Sequence, residues 1–123
     1  MAVQETMLVV DDESLPRKLL SISLREAGYR VVEAVSGKAA LAILRETPVD
    51  VVLLDLVMPE MDGFQVLRRM KADDLLEDIP VVVVSGSDDM NSVVRCIEMG
   101  AIDHLSKPFD PVLLQVRIRS ALA

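Results

Sequence analysis

Val49-Asp50-Val51-Val52-Leu53-Leu54-Asp55-Leu56-Val57-Met58-Pro59 carries four apolar residues straight into an acid, Asp55. A carboxylate at the end of so apolar a run is costly to bury unless something compensates it. Two other segments offer compensation. Met7-Leu8-Val9-Val10 leads into Asp11-Asp12, which could share a cation with Asp55. Ile102-Asp103-His104-Leu105-Ser106 leads into Lys107, which could pair with the acids directly. Acids and an ammonium at the ends of different strands suggest one site rather than scattered surface charge.

Composition narrows the class. A chain of 123 residues is one domain of common size, able to bury a core. The apolar share is 51%, yet the aromatics number one Tyr and two Phe, so the core must be aliphatic. The net charge of −7 argues against nucleic-acid binding, which needs a basic face, and against adhesion to an anionic membrane. Cys96 is the single cysteine, so no internal disulfide can form and a reducing compartment is the simplest reading. The N-terminus has no signal-peptide pattern, and the longest apolar run is too short to span a bilayer. A cytoplasmic protein is expected.

Along the chain, apolar runs alternate with amphipathic stretches. Strands are expected at Met7–Val10, Tyr29–Ala34, Val49–Leu54, Pro80–Val84 and Ile102–Ser106. The helix over Leu15–Ala27 shows Leu15, Leu19 and Ile22 at helical spacing, with Leu20, Leu24 and Ala27 beside them. Pro16 suits its first turn and Gly28 its end. Ser36 would cap a helix to about Glu46. A third helix, from Met61 or Asp62 to about Ala72, uses Phe64, Leu67 and Met70. A fourth, capped by Asp88 or Asp89 and ended by Gly100, uses Met90, Val93, Val94 and Ile97. Pro111 opens the last. Cys96 and the methionines read as packing.

Five βα units result. Strands one, three and four are apolar on both faces, as parallel strands under helices must be, and the more polar second and fifth belong at the edges. The expected fold is α/β: a doubly wound, flavodoxin-like parallel sheet of order 2-1-3-4-5. Ligands in such sheets sit beyond the carboxyl ends of the strands. Asp11, Asp12, Asp55, Ser85 and Lys107 would then share one rim. Crowded carboxylates repel and raise a pKa unless a cation binds. An oxygen-only set with room for water favours Mg²⁺ over zinc. A carboxylate beside such a cation is a competent nucleophile toward phosphorus. Lys107 and the Ser85 hydroxyl would meet the phosphoryl oxygens.

These residues carry a resemblance. Asp11-Asp12, the segment Asp55-Leu56-Val57-Met58-Pro59 with Asp62-Gly63, Ser85-Gly86 and Lys107-Pro108-Phe109 resemble, in order and over essentially the whole chain, the receiver domain of two-component response regulators. The resemblance implies that Asp55 accepts a phosphoryl group from a histidine kinase or phosphotransfer protein. It implies that Asp11, Asp12, Asp55 and the Val57 carbonyl hold Mg²⁺. Ser85, Lys107 and the backbone amides of Val57 and Gly86 would engage the phosphoryl group, and the peptide before Pro108 would be cis, aiming Lys107 inward. Asp62-Gly63 reads as structural, a turn and helix start below the site.

Two departures from the family pattern stand out. Three residues before Lys107 receivers usually carry Tyr or Phe, and this chain has His104. It is either a partly exposed edge-strand ring or a switch residue with pH dependence. Val57 and Ser87 flank the place of the hydrolytic water, and Val57 has no polar group to orient it, so self-dephosphorylation is expected to be slow.

With the chain ending at Ala123, an output domain within it is not expected. The last helix has two apolar arcs, Val112, Leu113 and Val116 against Leu114, Ile118, Ala121 and Leu122. The second arc hints at a homodimer through the fourth helix, fifth strand and fifth helix, or at a helix continuing in a longer protein. The downstream effector is not legible. Other classes fit less well. A haloacid-dehalogenase-like phosphatase needs an acid where Val57 stands. A flavin binder needs aromatics that are almost absent. A receiver used only for docking would not need the intact acid–lysine set.

Overall fold

The computed structural model describes residues 4–86 and 90–123. The strands are β1 (Thr6–Val10), β2 (Arg30–Ala34), β3 (Val51–Asp55), β4 (Val81–Ser85) and β5 (Asp103–Ser106). The helices are α1 (Ser14–Glu26), α2 (Gly37–Glu46), α3 (Gly63–Lys71), α4 (Met90–Glu98) and α5 (Pro111–Leu122). All strand pairs are parallel and the order is β2-β1-β3-β4-β5, as expected from the both-face apolar strands. Strand ends differ from the sequence reading by one or two residues, where ladder pairing rather than apolar character sets the limit.

Strand alternation splits the core into two layers. Leu8, Val10, Val52, Leu54, Val81 and Val83 face α2 and α3, with Cys96 of α4 in the same layer. Met7, Val9, Leu53, Val82, Val84 and Leu105 face α1 and α5. Every residue of β1, β3 and β4 is buried, so burial of aliphatic side chains on both sides holds the centre of the sheet.

Two helices turn a different face inward than the leucine spacing suggests. In α1 the buried set is Leu20, Ser21 and Leu24, with Arg17 half-buried beside them. Leu15, Leu19 and Ile22, the stripe that reads as the core face, are exposed. In α4 only Cys96 is fully buried, while Met90, Val94 and Ile97 face outward. In α1 apolar residues extend around two neighbouring arcs, and in α4 they form one arc of which the Cys96 edge meets the core, so contact with the sheet chooses which part is buried. α5 has the two apolar arcs read from the sequence, and the structure assigns them: Leu114, Ile118 and Ala121 pack inside and Val112, Leu113 and Val116 lie exposed.

Caps fix several ends. The Ser36 side chain accepts from the Ala39 amide at the start of α2. Asp62 and Gln65 close a reciprocal capping box on α3. Gly28 and Gly100 adopt positive φ just beyond α1 and α4. Glu13 stands at the N-cap of α1 without capping through its side chain; the Asp11 carboxylate accepts its amide instead. Asp88 and Asp89, the expected caps of α4, lie outside the described residues.

Gly63 lies directly against the Asp55 and Leu56 backbone, where an added Cβ would collide with main-chain atoms. Gly63→Ala is therefore expected to destabilise the protein by about 1–3 kcal/mol, the usual cost of overpacking a spot that cannot yield. Urea unfolding should show the midpoint fall at unchanged slope.

Candidate functional site

The parallel order brings the strand ends to one rim. Asp11 follows β1, Asp55 ends β3, Ser85 ends β4, and Lys107 follows β5. Asp55 sits in register with Val84, and Ser85 with Ser106. The Lys107 amide then donates to the Ser85 carbonyl at 2.9 Å, extending the pairing one residue past β5. The Lys107–Pro108 peptide is cis, as the family resemblance implies.

Lys107 points into the rim. Its Nζ donates to Asp11 Oδ2 at 2.8 Å and lies 3.3 Å from Asp55 Oδ1. Asp11 is 1% exposed and Asp55 5%, while Asp12 stands in solvent. Carboxylate oxygens of Asp11, Asp12 and Asp55 lie within 4.8 Å of one another. Burial, and then repulsion from Asp11, push the Asp55 pKa from 3.8 up to about 6, although Lys107 and the Val57 backbone hydrogen bond pull it down. Burial alone would lower Lys107; its hydrogen bond to Asp11 and the charge of Asp55 outweigh that, and its pKa is raised.

The donor set fits a hard divalent cation. It is all oxygen, it carries three carboxylates, and one ammonium leaves Asp55 electrostatically unsatisfied. The acidic cluster can hold a metal ion.

Around the cluster, Val57 is 78% exposed on the loop after β3. Gly86 packs beside the Lys107 side chain, where a Cβ would meet only ordinary contact distances. A cleft of about 440 Å³ opens beside Ser85, walled by Val57, Met58, Phe64 and Ser92. A second hollow, of about 410 Å³, runs along Leu15, Leu19, Lys107, Pro108 and Phe109. Ser87 lies outside the described residues. His104 is half-buried on β5, in register with Val83, and its Nε2 is buried without a hydrogen-bond partner among the described residues. Burial lowers its pKa; Asp103 opposes this and Arg117 adds to it.

Two features of the site were not legible in the motifs. Arg95 of α4 stacks over the Phe64 ring at 4.2 Å, tying α4 to α3 beside the cleft. Arg17 donates from Nη1 to the Asp11 carbonyl at 3.0 Å and from Nε to Glu33 at 2.9 Å. The only sequence signal for the second was a charged residue at i−3 and i−4 from the buried Leu20 and Ser21.

A doubly wound parallel sheet with acids and a lysine gathered at its carboxyl rim defines an α/β domain whose site lies at the ends of its central strands. Residues 7–119 match the response regulator receiver domain family, and the chain belongs to it. It is 34% identical to the phosphate regulon transcriptional regulatory protein PhoB of Pseudomonas aeruginosa, over 98% of this chain and 52% of the relative. It is 41% identical to the response regulator PleD of Caulobacter vibrioides, over 93% of this chain and 25% of that protein. The chain thus spans about half the length of such relatives, or less. Among solved structures, a putative response regulator from Chloroflexus aurantiacus superposes with a TM-score of 0.94 at 32% identity, covering 98% of both chains. The chemotaxis protein CheY4 of Vibrio cholerae superposes with 0.92 at 28% identity, covering 98% of this chain and all of the other. The domain is therefore a signalling receiver of two-component systems. Among the described residues no helix is long and apolar enough to cross a membrane.

The raised Asp55 pKa makes a stability prediction for the metal-free protein. Below 3.8 Asp55 is protonated folded and unfolded; above about 6 it is ionised in both, and the folded state bears the excess cost. Asp55→Asn should thus stabilise the protein at pH 7.5 by about 1–3 kcal/mol, because each tenfold difference in proton affinity between the two states is worth about 1.4 kcal/mol. The gain should shrink as pH falls from 6 toward 4, as read by urea unfolding with a chelator present.

Proposed function

We propose that residues 1–123 form a single receiver domain that works as a phosphorylation-dependent switch, with Asp55 accepting a phosphoryl group from a histidine kinase or phosphotransfer protein. The observation that carries this reading is the buried Asp55 carboxylate, held between Asp11 and the Lys107 ammonium at an open rim. With a pKa near 6 it is ionised at neutral pH, and little else satisfies its charge. Its oxygen would form the new O–P bond as the N–P bond of a phosphohistidine breaks. Lys107 would follow the phosphoryl oxygens, and the Ser85 hydroxyl and the Val57 and Gly86 amides would donate to them. Asp11, Asp12, Asp55 and the Val57 carbonyl would hold Mg²⁺, which when bound neutralises charge on the transferring group.

The surroundings support a protein donor. The apolar hollow along Leu15, Leu19 and Phe109 borders Lys107, so a partner reaching Asp55 from that side would bury exposed leucines. On the far side, α4 exposes Val94 and Ile97 and α5 exposes Leu113 and Val116, flanking the edge strand β5. That α4-β5-α5 face is the proposed output surface, for a second copy of the chain or a downstream protein. A cytoplasmic location follows from this reading, since the kinase chemistry and the free Cys96 belong there.

Intact mass after treatment with acetyl phosphate tests the phosphoacceptor. One Mg²⁺-dependent, base-labile phosphoryl adduct is expected on the wild type and none on Asp55→Asn. An adduct on both proteins would move the site elsewhere. The isolated phosphoprotein should decay over minutes or longer, because exposed Val57 has no group to orient water; a half-life of seconds would contradict this. Light scattering on the same samples should show a larger species when phosphorylated.

His104 is proposed as the switch residue with Ser85. Its buried Nε2, without a hydrogen-bond partner among the described residues, favours the neutral ring, so acidification should oppose the switch. Imidazole NMR signals should shift on phosphorylation, and an unchanged ring environment would rule His104 out.

A further inference from the structure

We infer that Arg17 is a positioning residue for the cation site, clamping the Asp11 main chain to β2 and thereby fixing the most buried carboxylate of the cluster. This rests on the reading that Asp11 helps hold Mg²⁺. Three hydrogen bonds and the clamp surround Asp11. Its Oδ1 accepts from the Glu13 amide at 2.9 Å, and its Oδ2 from Lys107 at 2.8 Å. Its amide donates to the Ala34 carbonyl at 3.1 Å. Its carbonyl accepts from Arg17 Nη1 at 3.0 Å, and the same guanidinium donates through Nε to Glu33 at 2.9 Å. Glu33 and Ala34 are consecutive in β2, so the turn after β1 is sewn to that strand at two adjacent points.

Arg17 is placed for this and little else. Its side chain is 12% exposed, lying on the inward side of α1 with Leu20, Ser21 and Leu24 while leucines face solvent. The Ser21 hydroxyl donates back to the Arg17 carbonyl at 2.9 Å. The planar guanidinium can serve two acceptors in fixed directions; a lysine ammonium lacks that fork. Glu33 also matters for charge. A lone cation beside the acids would compete with the metal, whereas Glu33, which also lies 3.8 Å from Arg25, offsets much of the Arg17 charge. Positioning and simple electrostatics therefore predict opposite signs. Removing a positive charge near three carboxylates should tighten Mg²⁺ binding, and removing the clamp should weaken it.

The test is Mg²⁺ titration by calorimetry on wild type, Arg17→Met and Arg17→Lys, each well below its melting temperature. For Arg17→Met the Kd should rise about tenfold, the lower end of what partners of metal ligands contribute. Arg17→Lys, which keeps the charge and is the variant more certain to fold, should fall between. In the metal-free proteins, hydrogen exchange at the Asp11 amide should accelerate while amides of α5 keep their protection. An unchanged or lower Kd in the folded variants would overturn the inference, and so would normal Asp11 protection. Failure of the wild type to bind Mg²⁺ would instead overturn the cation-site reading together with it.

Discussion

The ammonium of Lys107 between Asp11 and Asp55 is the contact on which the rest of the molecule turns. It joins residues 96 positions apart, and it exists only because β1, β3 and β5 run parallel and end on one rim. Two nearly buried carboxylates would otherwise face each other in a low-dielectric setting, where one would be driven neutral. The lysine reduces that repulsion without removing it, and the Asp55 pKa stays well above the ordinary carboxylate range.

This residual strain is what makes the site receptive. A fully neutralised cluster would have little affinity for a cation. An uncompensated one would be too costly to fold around. The surrounding structure holds the balance through main-chain pairing: Lys107 to Ser85, Asp11 to Ala34, Gly63 against Asp55. Aliphatic burial on both faces of β1, β3 and β4 supplies the stability that lets the rim remain strained.

The outer surface follows from the same division. α1 hides a polar side, Arg17 and Ser21, and shows leucines; α4 hides Cys96 and shows Met90, Val94 and Ile97. Exposing that much aliphatic surface on helices beside the site favours association over solubility.

Much of this was written in the chain itself. Runs of β-branched residues closed by acids, alternating with amphipathic stretches, determine a parallel βα sheet, because strands apolar on both faces need helices on both sides. From the edge character of β2 and β5 the order follows, and from the order the meeting of Asp11, Asp12, Asp55, Ser85 and Lys107. Turn and cap chemistry at Ser36 and Gly28 is local and was equally plain, whereas Asp62 reads as a turn and helix start and proves to be the cap. Only tertiary structure decided which part of α1 and α4 is buried, since the apolar arc of each is wider than the strip that touches the sheet and the sheet selects within it. It alone joined Arg17 to the Asp11 carbonyl and buried His104 Nε2 without a partner among the described residues. Periodicity describes side chains along one element; a hydrogen bond to a carbonyl on another element depends on where the backbone of both has come to rest.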